Sequence, residues 1–247
     1  LHRAATSSFE SLEKQYSNGM TLSASFTGSK TIANTMQSNT WVVGPSNHLY
    51  DARYNKGIEA NDIPRRLVLS YLYDMPFGKG RKFLSDASSV VQRLVGGWQV
   101  SSITVLQKGR PVMITGPDTT NLFNFSSTNG RANRLKDPVL PDGEQSLTRW
   151  FDTTAFERAA PFTLPNDSVS QPRLRGPGRV NFDVSVLKNT RFGERYNLQF
   201  RGEFYNISNT PALDARGGTM DVANPLFGQI VLGGNPRNIQ FGLRFVF

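Results

Sequence analysis

The chain has 247 residues, a net charge of +9 and a mean hydropathy of −0.39, which is length enough to bury a core as one domain. It has no cysteine and no run near the ~20 apolar residues that a spanning helix needs. That excludes a helical membrane protein, a disulfide framework and thiolate chemistry. It does not exclude membrane strands, whose alternation keeps mean hydropathy low. His2 and His48 stand in unrelated contexts, which argues against a histidine-based metal or catalytic site. The cations are scattered over predicted strands and loops rather than gathered in one run, so no nucleic-acid partner is expected. The chain opens on Leu1 without a signal segment, and the expectation is a processed or partial chain whose targeting information lies elsewhere.

Residues 7–30 predict a hairpin. Residues 11–16 lead into Ser17-Asn18-Gly19, where Asn-Gly supplies the positive φ of a tight turn. Met20, Leu22, Ala24 and Phe26 then alternate with Thr21, Ser23, Ser25 and Thr27. Residues 31–64 are polar and irregular, and too long for a routine hairpin loop. Leu67, Leu69, Tyr71, Tyr73 and Met75 mark the next strand, whose second face carries Val68 and Leu72 and is not fully polar. Residues 76–81 predict a turn. The Gly-Lys-Gly within it lacks P-loop spacing and a following βα crossover. Ser85 or Asp86 is expected to cap a short helix through Val95, ended by Gly96-Gly97.

Trp98 to Gln107 predicts a strand in which the apolar phase slips between Val100 and Ile103, as a bulge would cause. Residues 109–179, rich in Pro, Asn and Gly, form the largest irregular stretch. Val180, Phe182, Val184 and Val186 then alternate with Asn181, Asp183 and Ser185. A short turn at residues 191–195 leads to Tyr196, Leu198, Phe200, Gly202 and Phe204, alternating with Asn197, Gln199, Arg201 and Glu203. After a loop over residues 206–238 comes I-Q-F-G-L-R-F-V-F. It sets Ile239, Phe241, Leu243, Phe245 and Phe247 on one face and Gln240, Gly242 and Arg244 on the other.

Seven strands result, with connections that alternate short and long, so one end of the sheet carries tight turns and the other long loops. Tyr16, Tyr73, Phe77, Trp98, Phe192, Tyr196, Phe245 and Phe247 gather at the short-turn end. Two architectures compete. One is an all-β, antiparallel up-and-down transmembrane barrel, present in part, with short periplasmic turns, long extracellular loops and an aromatic girdle. The other is a soluble secreted β-sandwich for carbohydrate binding or adhesion, in which the closing strand packs face-in.

Several motifs, in order along nearly the whole chain, carry a resemblance. They are S-L-E-K-Q-Y-S-N-G at residues 11–19, Y-D-M-P-F-G-K-G-R at 73–81, G-G-W-Q at 96–99 and W-F-D-T-T-A-F at 150–156. They continue with R-L-R-G-P-G-R-V-N-F-D-V-S-V-L-K-N from residue 173, L-Q-F-R-G-E-F-Y-N-I-S-N-T-P from 198 and the ending P-R-N-I-Q-F-G-L-R-F-V-F. Together they resemble the carboxy-terminal part of TonB-dependent outer-membrane receptors, closest to the Oar-like group. The resemblance implies a barrel of about twenty-two strands, of which residues 1–247 would be the carboxy-terminal portion. It implies a plug domain and a TonB-contacting segment upstream, neither within this sequence, and localisation in the bacterial outer membrane. It further implies uptake of an unidentified large ligand, with an adhesive surface barrel as the alternative. Its partners would be outer-membrane lipid and lipopolysaccharide, the barrel-assembly machinery, the TonB complex and an extracellular ligand. In this family the alternating aromatic ending, here Ile239 through Phe247, resembles the signal read by the assembly machinery.

No catalytic constellation emerges and no cofactor is expected. Asp183, Gln199, Arg201, Glu203 and Arg244 are expected to form a lumen-facing polar ladder with cross-strand charge pairing. Asp118, Asp137, Asp142 and Asp152 lack the spacing of a calcium loop. Among the loop aromatics Phe123, Phe125, Trp150, Phe151 and Phe156, the candidates for ligand contact are Trp150, Phe151 and Phe156. The competing expectation is that these rings pin the loop to the rim. An open sheet of seven strands would leave two raw edges, with long loops lacking regular structure.

Overall fold

The computed structural model describes residues 3–16, 19–33, 54, 56–117, 130–141, 143–168, 170–193, 195–215 and 218–247. His2, Asn18, His48, Asp118, Phe123, Phe125 and Asp142 lie outside the described residues. Seven long strands carry the architecture: β1 (Arg3–Tyr16), β2 (Met20–Ala33), β3 (Arg65–Asp74), β4 (Trp98–Gln107), β5 (Arg179–Phe192), β6 (Tyr196–Tyr205) and β7 (Asn238–Val246). Each pairs antiparallel with its neighbours in sequence, so the sheet is an uninterrupted up-and-down meander. The two-residue strand Gly57–Ile58 extends it beside the end of β2. The shortest of the seven has 9 residues, and about 9–11 suffice to cross a bilayer. Among the described residues, β1 and β7 each pair on one side only, so the sheet is open.

β1 is longer than its side chains predict, because backbone pairing carries it. It runs in continuous register with β2 from Arg3 opposite Ala33 to Tyr16 opposite Met20, although Glu10 and Lys14 fall on the same face as Phe26 and Leu22. Three-residue connections close β1–β2 and β5–β6, and each uses a glycine in the left-handed region, Gly19 at φ 78° and Gly193 at φ 67°.

Two local expectations change. The helix, α1, spans Ser89–Val95, several residues later than a Ser85 or Asp86 cap would start it, and Ser88 at its N-cap makes no side-chain capping bond. The residues before it are engaged otherwise. Phe77 bridges to Phe83, and the Gln92 side chain donates to the carbonyls of Leu84 and Ser85. Nor does β4 bulge, since its register with β3 and with β5 is unbroken from end to end. Ser102 and Thr104 take the apolar-face positions instead, and Ser102 is buried beside its cross-strand neighbours Tyr71 and Val184.

Directly opposed residues share a face, so the register assigns every strand residue. One face carries Leu22, Leu69, Tyr73, Val100, Val186, Phe200 and the β7 row, and it is apolar and, away from the connection between β3 and β4, uncovered. On it Phe241 and Leu243 are 67% and 71% exposed. No second sheet packs against this face among the described residues, which removes the sandwich. The other face is mostly polar, apart from an apolar strip of Val68, Leu72, Ile103, Val105 and Leu187 near its middle.

The buried core lies elsewhere. Val112, Ile114, Ala132, Phe151, Leu174, Ala215, Met220 and Ile230 come from the connections after β4 and after β6, and they form one cluster with Phe156. Phe151, Phe156 and Phe227 meet edge to face, with centroids 5.3–6.2 Å apart. The long loops thus build a compact cap rather than running as irregular connectors.

Candidate ligand cleft at the long-loop rim

The cap is fastened to the strand ends by polar groups. Arg175 donates to Asp62 through Nη2 at 2.8 Å and to the Asp62 carbonyl at 3.0 Å, and Asp62 Oδ1 accepts from the Thr31 amide at 2.6 Å. A buried carboxylate with that many partners ties the β2–β3 connection to the segment before β5. Trp150 donates from its indole to the Arg175 carbonyl at 2.8 Å. The closest approach is backbone on backbone: a Cβ at Gly109 would lie 1.7 Å from the Gly176 carbonyl oxygen, so no larger residue fits. Deeper in the cap, Arg131 stacks on Tyr54 at 4.1 Å and donates to its carbonyl. Burial holds Arg131 below its ordinary pKa and pushes Tyr54 and Asp167 up. At the cap surface Asp152 accepts from Lys136 at 2.7 Å and from Thr154, and these bonds lower its pKa to about 2.

These contacts leave a cleft of about 670 Å³ between the strand ends and the cap, lined among others by Arg65, Lys108, Trp150, Arg173 and Arg175. A smaller neighbouring recess adds Arg110, Arg179 and Asp214. Arg175 is held by Asp62 and Arg173 by Asp137. Among the described residues no carboxylate forms an ion pair with Arg65, Lys108, Arg110 or Arg179. Concave, low-dielectric walls lined by one sign of charge focus the field on an anion. The described residues hold no group of three or more His, Cys, Asp or Glu arranged for a metal ion.

The loop aromatics separate. Trp150 lines the cleft, half-buried, with its ring beside the cations. Phe151 is 0% exposed and Phe156 is buried with it, so neither ring has a free face for a ligand. They hold the cap together.

The register places Asp183, Gln199, Arg201, Glu203 and Arg244 on the polar face of β5, β6 and β7, but cross-strand charge pairing does not join them. The ion pair there, Arg201 with Glu203 at 3.6 Å, runs along β6. Across strands the links are amides, Gln240 to Glu203 and Gln199 to Asn189 at 3.1 Å. Arg244 stands opposite Gln199. Asp183 accepts from the Asn206 amide at 2.8 Å, and Asn181 accepts from Asn235 at 3.2 Å, so the start of β5 anchors the last cap segment to the polar face.

On the apolar face the closing strand forms an aromatic ribbon with β6. Tyr196 stacks on Phe245 at 5.8 Å, Phe200 on Phe241 at 6.0 Å and Phe245 on Phe247 at 6.1 Å.

Residues 6–240 match the family described as outer membrane beta barrel domain. The chain belongs to that family. No curated protein and no solved structure matches it. The protein therefore resides in the bacterial outer membrane, and the seven strands are barrel wall. The apolar face meets lipid, the polar face meets the lumen, the tight turns are periplasmic and the cap is extracellular.

The cleft cations Arg65, Lys108 and Arg175 were not legible as a site in the sequence, because Arg65 opens β3 while Lys108 and Arg175 stand at the two ends of the long connection after β4. One signal was present: R-L-R-G-P-G-R at residues 173–179 spaces arginines around glycines that permit close backbone approach.

Proposed function

We propose that this barrel is the carboxy-terminal portion of a TonB-dependent receptor of the Oar-like group, and that its basic cleft captures an anionic ligand for energy-coupled uptake. The observation that carries the reading is the cleft itself: four cations beside an indole, of which Arg65 and Lys108 have no ion pair among the described residues, held on the extracellular rim by a cap with its own core. Arg and Lys supply attraction and steering, and Trp150 supplies a flat apolar surface on which a ring can stack. The open edges of β1 and β7 require further strands to close a wall. The lumen-side strip of Val68, Leu72, Ile103 and Val105 suits cover by a plug domain. The Ile239–Phe247 row serves as the signal for the barrel-assembly machinery.

The test is accumulation of radiolabelled ferric siderophores, oligosaccharides, peptides and cobalamin by cells expressing the full-length protein, with and without TonB. Uptake of one anionic probe is expected only with TonB. Arg65→Gln with Trp150→Ala should weaken its surface binding while barrel levels stay unchanged. TonB-independent binding without accumulation would overturn the transport reading in favour of a non-transporting surface barrel.

A further inference from the structure

The connection between β3 and β4 sits at the periplasmic end, yet it is neither a tight turn nor a polar loop. Its helix α1 buries none of its residues. Val90 and Leu94 are 64% and 67% exposed, and Phe83 and Leu84 are also exposed.

The segment is nevertheless held firmly, and against the lipid-facing side of the wall. Lys188, on that face of β5, donates Nζ to the carbonyls of Arg93 and Gly96 at the end of α1. Trp98, its cross-strand neighbour on the same face, donates its indole N–H to the Leu94 carbonyl at 2.9 Å. Gly97, at φ 71°, lies where a Cβ would come 2.3 Å from the Asn189 carbonyl oxygen. Between α1 and the wall runs a groove of about 400 Å³ lined only by apolar side chains, including Phe77, Leu94, Trp98, Val100 and Val186. Val100 and Val186 belong to the lipid-facing surface, so the groove is continuous with the membrane interface.

The charge of the segment complements the membrane's. Residues 76–97 contain Lys79, Arg81, Lys82 and Arg93 against the single acid Asp86. Arg81 pairs with Asp74 at 3.4 Å. Lys82 lies over the Phe83 ring at 5.4 Å and Arg93 over Phe192 at 5.6 Å. Cations set beside exposed aromatics are suited to the headgroup region, where the rings sit below and the charges meet phosphate.

We propose that residues 75–97 form a lipid-binding foot. The groove takes an acyl chain of a glycerophospholipid from the periplasmic leaflet, Val90 and Leu94 sit in that leaflet, and Lys82 and Arg93 pair with lipid phosphates. Because the foot lies at the tight-turn end, the ligand is a phospholipid and not lipopolysaccharide, which occupies the opposite leaflet.

The experiment uses the full-length protein folded into vesicles of phosphatidylethanolamine and phosphatidylglycerol. Only species with the heat-modifiable gel migration of a closed barrel are scored. The 247 residues contain no cysteine, so a nitroxide at Leu94→Cys, or at Val90→Cys if the first variant folds poorly, reports one place within them. The label is expected to be open to oxygen and shielded from a water-soluble nickel chelate. Access to the nickel chelate would overturn the proposal, and so would shielding from both reagents, which would mean a protein partner or a second copy covers the foot. In the same vesicles Lys82→Gln with Arg93→Gln should lower the preference for phosphatidylglycerol over phosphatidylethanolamine about fivefold per cation. An unchanged preference would remove the phosphate contact.

Discussion

The wall and the cap place the same kinds of side chain on opposite sides of their surfaces. In the wall, Phe241 and Leu243 point outward and are more than half exposed, while in the cap Phe151 and Ile114 are fully buried. The wall holds almost none of the buried apolar core; the cap holds nearly all of it. One hydrophobic effect explains both. A side chain leaves water either by entering lipid or by entering a protein core, and the strands have the first option while the loops have only the second. The comparison also explains why the connections after β4 and β6 do not merely fray: pooled, they bury enough apolar surface to fold as a unit.

The comparison is broken most strongly inside the cap. Phe151→Ala should destabilise the cap by about 3–5 kcal/mol, because it empties the centre of the edge-to-face trio. Protease should then cut the connections after β4 and β6, while the outer-membrane level of the barrel stays normal. Loss of the barrel from the membrane would mean that cap and wall are not separate cores.

In the wall, one step along β7 should reverse the outcome. Leu243→Arg faces lipid and should cost about 2–4 kcal/mol near the midplane, lowering the folded fraction. Gly242→Arg faces the lumen, where nothing lies within 4 Å of the new Cβ, and it should leave insertion intact. Phe245→Asp should behave like Leu243→Arg. Equal effects at residues 242 and 243 would undo the assignment of faces.

The junction between the regions comes next. Asp183→Ala removes the acceptor for the Asn206 amide and should cost about 1–3 kcal/mol. Hydrogen exchange should quicken at Asn206 and along the final cap segment and stay unchanged in β6 and β7. Quickening confined to β6 and β7 would instead place Asp183 in a wall ladder.

The smallest effect concerns Asp152. Its folded-state pKa of about 2 lies below the ordinary 3.8. Its contribution is therefore fully present above about pH 4 and fades as pH falls toward 2. Trp150 fluorescence should report cap loosening in that window, and Asp152→Asn should abolish the pH step.

The strands were legible because alternation is local. Val180 to Val186, Tyr196 to Phe204 and Ile239 to Phe247 each declare their two faces within one run of residues, and glycine at residues 19 and 193 marks the turns. β4 misled for the same reason. Ser102 and Thr104 break the apolar count, but register is set by two neighbouring strands and not by the strand's own side chains. The start of α1 was misplaced because Gln92 and the Phe77–Phe83 bridge occupy the residues that a local capping rule would have used.

The sequence by itself determined the seven strands, their order, the lipid-facing rows of β2, β3, β5, β6 and β7 and the alternation of short and long connections, since all of these depend on spacing of about two residues or on turn chemistry at one position. Tertiary structure alone decided the cap. Its core joins Val112, Phe151, Leu174 and Ile230 across more than a hundred residues without any period. The same folding buried Phe151 and Phe156, left Trp150 at the cleft, and drew Arg65, Lys108 and Arg175 together. A binding surface assembled from separate loops depends on contacts distant in sequence, and no local pattern records them.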